Sequence, residues 1–320
     1  MMKKILAAFV LAALVAGSVF ANGQAASGGA KETLRFATGG TTGTYYAFGT
    51  VLGQLFQEKD GLNVTIQSSG ASKANIQLIA AGEAEMALVQ NDVMDYAYKG
   101  TDLFSADGAI TGFQAMAGVY AEVCQVVAGA NSGINTIADL KGKRVSVGDA
   151  GSGVEFNARQ ILEAYGVTFD DIQKQNLSFG ASADALRDNK IDAFFCVAGA
   201  PTPAIVDLAL GRSIILLPVD DAHVQALQAK YPFYQKFPIA ANSYTGQTAD
   251  VQTVAVKATI IVSPKVSEDA VYKMTKTLIE TGKAIEHPKA AEISPENAVG
   301  SISVPFHSGA MKYYKEIGAM

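Results

Sequence analysis

The sequence is poor in the residues that most enzymes and metal sites depend on. It holds three histidines and two cysteines among 320 residues. The histidines are scattered, without the paired spacing of a zinc site or a Ser-His-Asp arrangement. The glycine loops lack the Gly-Lys-Ser/Thr ending of a P-loop, and the central one lacks the Gly-x-Gly-x-x-Gly order. The sequence therefore predicts no catalytic residue, no metal site and no cofactor. A secreted enzyme stays the alternative, with Asp149 and Glu155 as its imaginable acid/base pair.

An excess of positive charge is also missing. The chain has 25 basic and 30 acidic residues, a formal net charge of −5. This balance argues against a nucleic-acid partner. Cys124 and Cys196 both lie in apolar runs. In an exported protein they could form a disulfide, and two buried free thiols are equally compatible with the spacing.

The N-terminus predicts export. Lys3 and Lys4 precede an apolar stretch at residues 5–16, and small residues at 19–21 suit cleavage. Residues 1–21 are therefore expected to be a signal peptide, followed by a flexible spacer at 22–33. An uncleaved membrane anchor is the alternative. No cysteine lies near the cleavage site, so a lipid anchor is not expected. The predicted location is periplasmic or otherwise extracytoplasmic.

One glycine-rich stretch organises the chain. Residues 148–155 (GDAGSGVE) follow a β-branched run and precede a helical pattern at 156–165. A strand, a glycine turn and a helix N-terminus leave backbone N–H groups free to bind an anion. We expect the N–H groups of Ser152, Gly153 and Val154, with the Ser152 hydroxyl, to hold a carboxylate. A tight turn without a ligand is the alternative interpretation.

The same arrangement occurs earlier in the chain. Gly43 and Gly153 are 110 positions apart, and the Gly-Ala-Ser stretches at Gly70 and Gly180 have the same offset. Each half has the order strand, glycine loop, helix, strand, Gly-Ala-Ser, helix, strand. In the second half, the strand before Gly180 is expected at residues 176–179. Two similar α/β lobes with a cleft between them are therefore expected, and the cleft should hold a small anionic ligand.

Other candidate ligand residues follow from this order. They lie in loops or first helical turns at the ends of predicted strands, where open α/β sheets bind ligands. Tyrosine packing, a helix cap by Ser72 and a helix cap by Asp92 are the structural alternatives. The further candidates are Thr41, Thr42, Tyr45, Tyr46, Ser69, Asn75, Gln90, Asp92, Asp149, Gly199 and Thr202.

Two long apolar runs predict how the lobes are joined. Residues 112–128 and 251–263 are β-branched and strand-like, and each is long enough to cross between lobes. The predicted fold class is α/β with two hinged lobes. Residues 34–122 and 255–320 are assigned to lobe one, and 123–254 to lobe two. Helices are predicted at 44–58 and, with an amphipathic pattern, at 267–286.

The motifs resemble the TAXI family, the solute receptors of tripartite ATP-independent periplasmic (TRAP) transporters. The most specific stretches are TTGTYY at 41–46, ALVQND at 87–92, VGDAGSG at 147–153 and YPFY at 231–234. The resemblance implies a type II periplasmic-binding fold, no catalysis, a TRAP permease as partner, and glutamate, glutamine or 2-oxoglutarate as the solute. Val154 departs from the threonine common at that position.

The acidic candidates separate the two solute classes. A buried ammonium group needs an anionic partner, so an amino acid should face Asp92 or Asp149. With 2-oxoglutarate, both carboxylates should be turned away or bonded to backbone N–H groups. The matched motifs keep both acids, which favours the amino acid.

Overall fold

The structure is a computed structural model, and it describes residues 33–320. The predicted signal peptide at 1–21 lies outside the described residues. So does the predicted spacer at 22–33, apart from Thr33, which begins the first strand.

The described residues form ten strands and ten α-helices that largely alternate along the chain. The strands are β1 Thr33–Ala37, β2 Asn63–Gln67, β3 Met86–Gln90, β4 Gln114–Gly129, β5 Arg144–Ser146, β6 Gln173–Gln175, β7 Ala193–Ala198, β8 Ile214–Leu217, β9 Gln235–Ile239 and β10 Val251–Val262. The helices are α1 Thr44–Asp60, α2 Ser72–Ala81, α3 Asn91–Lys99, α4 Gly153–Ala164, α5 Phe179–Arg187, α6 Pro203–Gly211, α7 Asp221–Lys230, α8 Glu268–Thr281, α9 Pro295–Val299 and α10 Ser308–Glu316.

One sheet joins the strands in the order β2-β1-β3-β10-β4-β7-β5-β6, with β8 on β4 and β9 on β10. The parallel trio β2-β1-β3 and the parallel trio β7-β5-β6 flank the long antiparallel pair β10 and β4. This near-symmetry agrees with the repeat in the sequence. Strands β4 and β10 occupy the two runs predicted as crossings. The lobe boundaries at 122/123 and 254/255 stay a prediction.

The helices pack on the sheet through one apolar face. Phe48, Leu52 and Phe56 of α1 recur every four residues, so they lie on one side, and all three are fully buried. Phe48 meets Tyr120 of β4 edge to face, with ring centroids 5.0 Å apart. Burying such a side chain contributes on the order of 2 kcal/mol. The predicted helix at 44–58 is confirmed, with an end two residues later.

Two local predictions were wrong. Ser72 does not cap α2, because Ala71 takes that position with φ +65° and the Ser72 hydroxyl instead accepts the backbone N–H of Gln90 at 3.0 Å. The strand expected at 176–179 lies earlier, at Gln173–Gln175, and Phe179 already begins α5. Ser178 caps that helix by accepting from Ala181 N–H, which ends the extended segment.

The two cysteines are free. Cys124 lies opposite Val197 in the β4–β7 ladder, while Cys196 lies opposite Gln125. Because side chains alternate along a strand, the two thiols point to opposite faces of the sheet. Both are fully buried, and burial raises the pKa of each thiol. The open question from the sequence is thus answered in favour of two buried thiols.

Candidate ligand-binding site

A cavity lies at the carboxyl ends of the parallel strands of both trios. It is built from segments that follow β1, β2, β5 and β6 and from the last residues of β3 and β7, with Glu122 contributed by β4. This is where the repeated glycine loops were expected to meet. The lining residues are Gly39, Gly40, Thr42, Gly43, Thr44, Tyr45, Ser69, Gly70, Ala71, Ser72, Gln90, Glu122, Asp149, Ser152, Gly153, Val154, Ser178, Phe179, Val197 and Ala198.

The N-termini of four helices converge on this cavity. The first residues of α1, α2, α4 and α5 are all in its lining. The first turns of α1, α2 and α5 hold no acidic residue. Each helix end carries a partial positive charge and unpaired N–H groups. These helix ends therefore favour an anion beside them, although no lysine or arginine of residues 33–320 lines the cavity and Asp149 does.

The turn before α4 exposes its N–H groups to the cavity. Gly148 and Gly151 have φ of +88° and +73°, a conformation that favours glycine. Ser152 caps the helix by accepting from Glu155 N–H at 3.2 Å, so its own hydroxyl hydrogen is free to donate. No acceptor among the described residues meets the N–H groups of Gly153 and Val154. This set of donors matches a carboxylate.

Glu155 supports the turn rather than the cavity. Its carboxylate accepts from Gly151 N–H at 2.6 Å and from Lys174 Nζ at 2.7 Å. Although burial opposes ionisation, the hydrogen bonds from Lys174 and Gly151 lower the pKa of Glu155. The imagined acid/base pair with Asp149 is not assembled, because Glu155 is held by this ion pair and does not line the cavity.

Three buried polar atoms that line the cavity have no hydrogen-bond partner among the described residues. They are Tyr45 Oη, Gln90 Oε1 and Glu122 Oε1. Tyr45 and Glu122 affect each other's pKa, so they are close neighbours, yet no hydrogen bond of acceptable geometry joins them. Leaving such an atom unpaired costs about 1–3 kcal/mol. Three in one place leave hydrogen-bonding capacity in the cavity for a polar group, either water or a solute.

Glu122 is the residue that sequence reasoning missed. It is 2% exposed, and burial raises the pKa of its carboxyl well above the ordinary value, while the nearby Lys289 ammonium lowers it. Burial therefore favours the neutral form of this carboxyl. A signal was present, because Glu122 is the one charged residue of β4, which is otherwise apolar or carries amides. The sequence pattern of this run predicts only a connection between the lobes, not a ligand residue.

Eight of the fourteen predicted residues are brought together in the lining. Tyr45 and Gln90 are buried there, whereas Asp149 is exposed, and partial burial raises the pKa of Asp149. Whether these residues bind a solute stays a prediction. The eight are Thr42, Tyr45, Ser69, Gln90, Asp149, Ser152, Gly153 and Val154.

The other six lie outside the lining. Asn75 is fully buried, and its amide donates to the carbonyls of Thr38 at 2.6 Å and Leu88 at 2.7 Å. Thr202 is buried and donates to the Gly199 carbonyl at 2.9 Å. Their hydrogen bonds hold loops in place. Exposed Thr41 and half-buried Tyr46 are likewise absent from the lining.

Asp92 belongs to a buried polar seam between α3 and α4. Its carboxylate accepts from Val93 N–H at 2.9 Å and from Asn157 Nδ2 at 3.0 Å. Burial raises the pKa of Asp92 to about 6. Gln90 Nε2 donates to Asn157 Oδ1 at 3.0 Å in the same seam. Asp92 is therefore bonded to backbone and amide donors and faces away from the cavity lining.

Gly153 fits closely against Gln90. A Cβ atom at Gly153 would lie 1.7 Å from Gln90 Oε1 and 2.9 Å from Val93 Cγ2. Only a residue without a side chain permits this approach of α4 to the end of β3.

Comparison with known proteins identifies the fold. PhnD1 from Prochlorococcus marinus, solved with methylphosphonate, is 10% identical, with a TM-score of 0.55 over 90% of this chain and 96% of that one. A structure described as a periplasmic transporter is 14% identical, with a TM-score of 0.56 over 90% and 93%. A protein from Bordetella bronchiseptica is 16% identical, with a TM-score of 0.54 over 90% and 81%. The fold is therefore the two-lobe α/β fold of periplasmic-binding proteins, as predicted.

Residues 33–320 lack the features of a metal centre and of a membrane-spanning helix. No cluster of three or more His, Cys, Asp or Glu side chains in this range is arranged to hold a metal ion. None of the helices described there is long and apolar enough to cross a membrane. A sequence model of the NMT1-like family matches residues 36–318.

Proposed function

The chain belongs to the NMT1-like family, and from that premise we propose that it is an extracytoplasmic receptor for a small amino acid of the glutamate or glutamine kind. The solute binds in the cavity at the strand ends and is passed to a separate membrane permease. It is released without chemical change. The family resemblance noted from the sequence makes a TRAP permease the proposed partner.

The convergence of four helix N-termini on one cavity carries this proposal. A solute carboxylate placed against Ser152, Gly153 and Val154 receives N–H and O–H donors, together with the positive end of α4. Backbone donors replace the arginine that many carboxylate sites use. The neighbour PhnD1 was solved with methylphosphonate, another small anion, which agrees with anion binding in this fold.

The charges around the cavity favour an amino acid over a dicarboxylate. Glu122 and Asp149 are the acidic residues of the lining, and no lysine or arginine of the described residues joins them. A second carboxylate on the solute would be repelled by Asp149, whereas an ammonium group is attracted. Glutamine, whose side chain is neutral, suits this lining best.

2-Oxoglutarate is the second candidate. The seam position of Asp92 favours it, because one of the two acids expected to pair with an ammonium is bonded to Val93 N–H and Asn157 instead. Asp149 is then the one remaining acidic residue, of the two expected from the sequence, that could pair with an ammonium group.

The predicted signal peptide at residues 1–21 supports export. An exported receptor would be on the side of the membrane where a permease takes up its solute.

Calorimetric titration of the purified protein tests the proposal. Glutamine, glutamate and 2-oxoglutarate are each added, with thermal shift as a second readout, since a ligand that binds the folded state raises the melting temperature. A micromolar dissociation constant corresponds to roughly 8 kcal/mol. Absence of binding by every amino acid and dicarboxylate in the panel refutes the solute class, and turnover of a solute refutes the receptor.

A further inference from the structure

Glu122 occupies a position that no structural requirement accounts for. It lies in the central strand β4, is 2% exposed, and reaches the cavity where the helix N-termini meet. Its Oε1 atom has no hydrogen-bond partner among the described residues. A carboxyl group placed so deeply is costly unless it is neutral or paired.

Two residues next to Glu122 also have a buried polar atom without a hydrogen-bond partner. Tyr45 Oη and Gln90 Oε1 are buried, unpartnered and part of the same lining, and both residues interact with the Glu122 carboxyl. All three atoms can accept a hydrogen bond. A primary ammonium group has three N–H donors and no acceptor. The number and kind of these atoms thus match one ammonium group.

The surroundings of Glu122 supply little positive charge. Lys289 on the 3₁₀ helix Pro288–Glu292 acts on it, but its Nζ already pairs with Glu292 Oε1 at 2.8 Å. Asp92 on α3 opposes ionisation of Glu122. A cation that entered the cavity would therefore be the main partner for an ionised Glu122. The titratable groups that act on Glu122 or contact its strand are Tyr45, Asp92, Tyr120, Cys124, Cys196, Lys289 and Glu292, and Asp149 shares the cavity lining.

We infer that Glu122 recognises the ammonium group of the solute, and that the Glu122 carboxyl releases its proton to solvent when that group binds. This rests on the proposed function and deepens it by naming the residue that selects amines. In the empty cavity, burial raises the pKa of Glu122 and so favours the neutral carboxyl. In the complex, one carboxylate faces one ammonium, Gln90 Oε1 and Tyr45 Oη take the other two N–H groups, and one proton passes to the buffer.

The same arrangement explains selection against a keto acid. The keto oxygen of 2-oxoglutarate only accepts hydrogen bonds, so it cannot satisfy Gln90 Oε1, which only accepts. It could take a hydrogen bond from neutral Glu122, which would then keep its proton. Proton release consequently distinguishes the two modes of binding.

The test is calorimetry of the purified protein near pH 7 in two buffers with different ionisation enthalpies. Glutamine and glutamate should each release close to one proton per bound solute, and 2-oxoglutarate none. Glu122→Gln should weaken amino-acid binding by about a hundredfold or more, since one partner of a buried charge pair is lost, and should abolish proton release. Because glutamine is neutral and close in size to protonated glutamate, the variant should fold, which circular dichroism checks.

Two further variants separate recognition from general damage. Tyr45→Phe removes one acceptor, so it should weaken amino-acid binding by about tenfold while proton release persists. Glu163→Gln makes the same chemical change at the surface of α4, away from the cavity lining, and should alter neither. Amino-acid binding without proton release, or with unchanged affinity in Glu122→Gln, overturns the inference and leaves the receptor function standing. If only solutes without an amine bind, the inference about Glu122 is also overturned and the receptor function stands. If no solute of the panel binds, both the inference and the proposed solute class are overturned.

Discussion

Replacement of Gly153 by alanine should reveal how closely α4 is fitted to the end of β3. The new Cβ would lie 1.7 Å from Gln90 Oε1, about half of an ordinary contact distance, so Gln90 must move. Gln90 is 2% exposed and donates to Asn157 Oδ1 at 3.0 Å. Its displacement breaks that hydrogen bond and leaves a buried acceptor unpaired.

The expected cost follows from these two effects. An overpacked site typically costs about 1–3 kcal/mol, and the buried oxygen of Asn157 left without a donor costs about 1–3 kcal/mol. Because a shift of Gln90 relieves the crowding but breaks the hydrogen bond, the two costs do not add in full, and we expect the free energy of unfolding to fall by about 2–4 kcal/mol. Solute affinity should fall as well, because the donors of Gly153 and Val154 are displaced with the helix.

Urea unfolding and calorimetric titration measure the two effects. Gly211→Ala is the matched control, because a Cβ there meets nothing within 4 Å, and it should lower neither stability nor affinity. Gly153→Ala combined with Gln90→Ala removes the atom that the new methyl group meets, so the double variant should regain part of the stability lost by the single one. Stability of Gly153→Ala within about 0.5 kcal/mol of the original would refute the proposed fit.

Three further predictions concern other parts of the molecule. Since the pKa of Asp92 is raised to about 6 from 3.8, the folded state binds this proton more tightly than the unfolded chain, and stability should fall by about 2 kcal/mol as pH rises from 4 to 6; Asp92→Asn should flatten that part of the profile, and an unchanged slope would contradict the assignment. Ser152→Ala removes a helix cap and a solute donor, so it should cost about 1 kcal/mol of stability and about tenfold in affinity; equal affinity in the variant would take the hydroxyl out of the site. With Cys124 and Cys196 on opposite faces of the sheet, a reducing agent should not change the melting temperature, and a drop on reduction would show a disulfide.

Much of the fold can be predicted from the sequence, because the spacing of apolar residues and the positions of glycines determine helices and turns locally. Phe48, Val51, Leu52 and Leu55 recur at helical spacing, and this spacing is enough to predict α1. The glycine turn before α4 was predicted because positive φ at Gly148 and Gly151 requires glycine. The cavity followed in turn, since parallel strands bring such turns to one edge of a sheet.

Side-chain direction could not be predicted in the same way. Ser72 and Asn75 occupy the expected loop and helix start, but which way they point depends on the register of α2 against β1 and β3. That register sends Asn75 Nδ2 to Thr38 and Leu88 and the Ser72 hydroxyl to Gln90. For Glu122 the apolar run around it predicts a strand, but the pattern does not indicate that this one charged side chain reaches the cavity.

The pairing of β4 with β10 constrains the order in which this chain can fold. Strand β10, at Val251–Val262, lies between β3 and β4, with Ala258 opposite both Gln90 and Tyr120. Until these residues have been synthesised, β3 and β4 have no partner between them and their edges stay open. Contacts so distant in sequence form slowly, and open strand edges invite aggregation. A nascent chain of 250 residues therefore cannot complete its central sheet, and products truncated before β10 should be prone to aggregation.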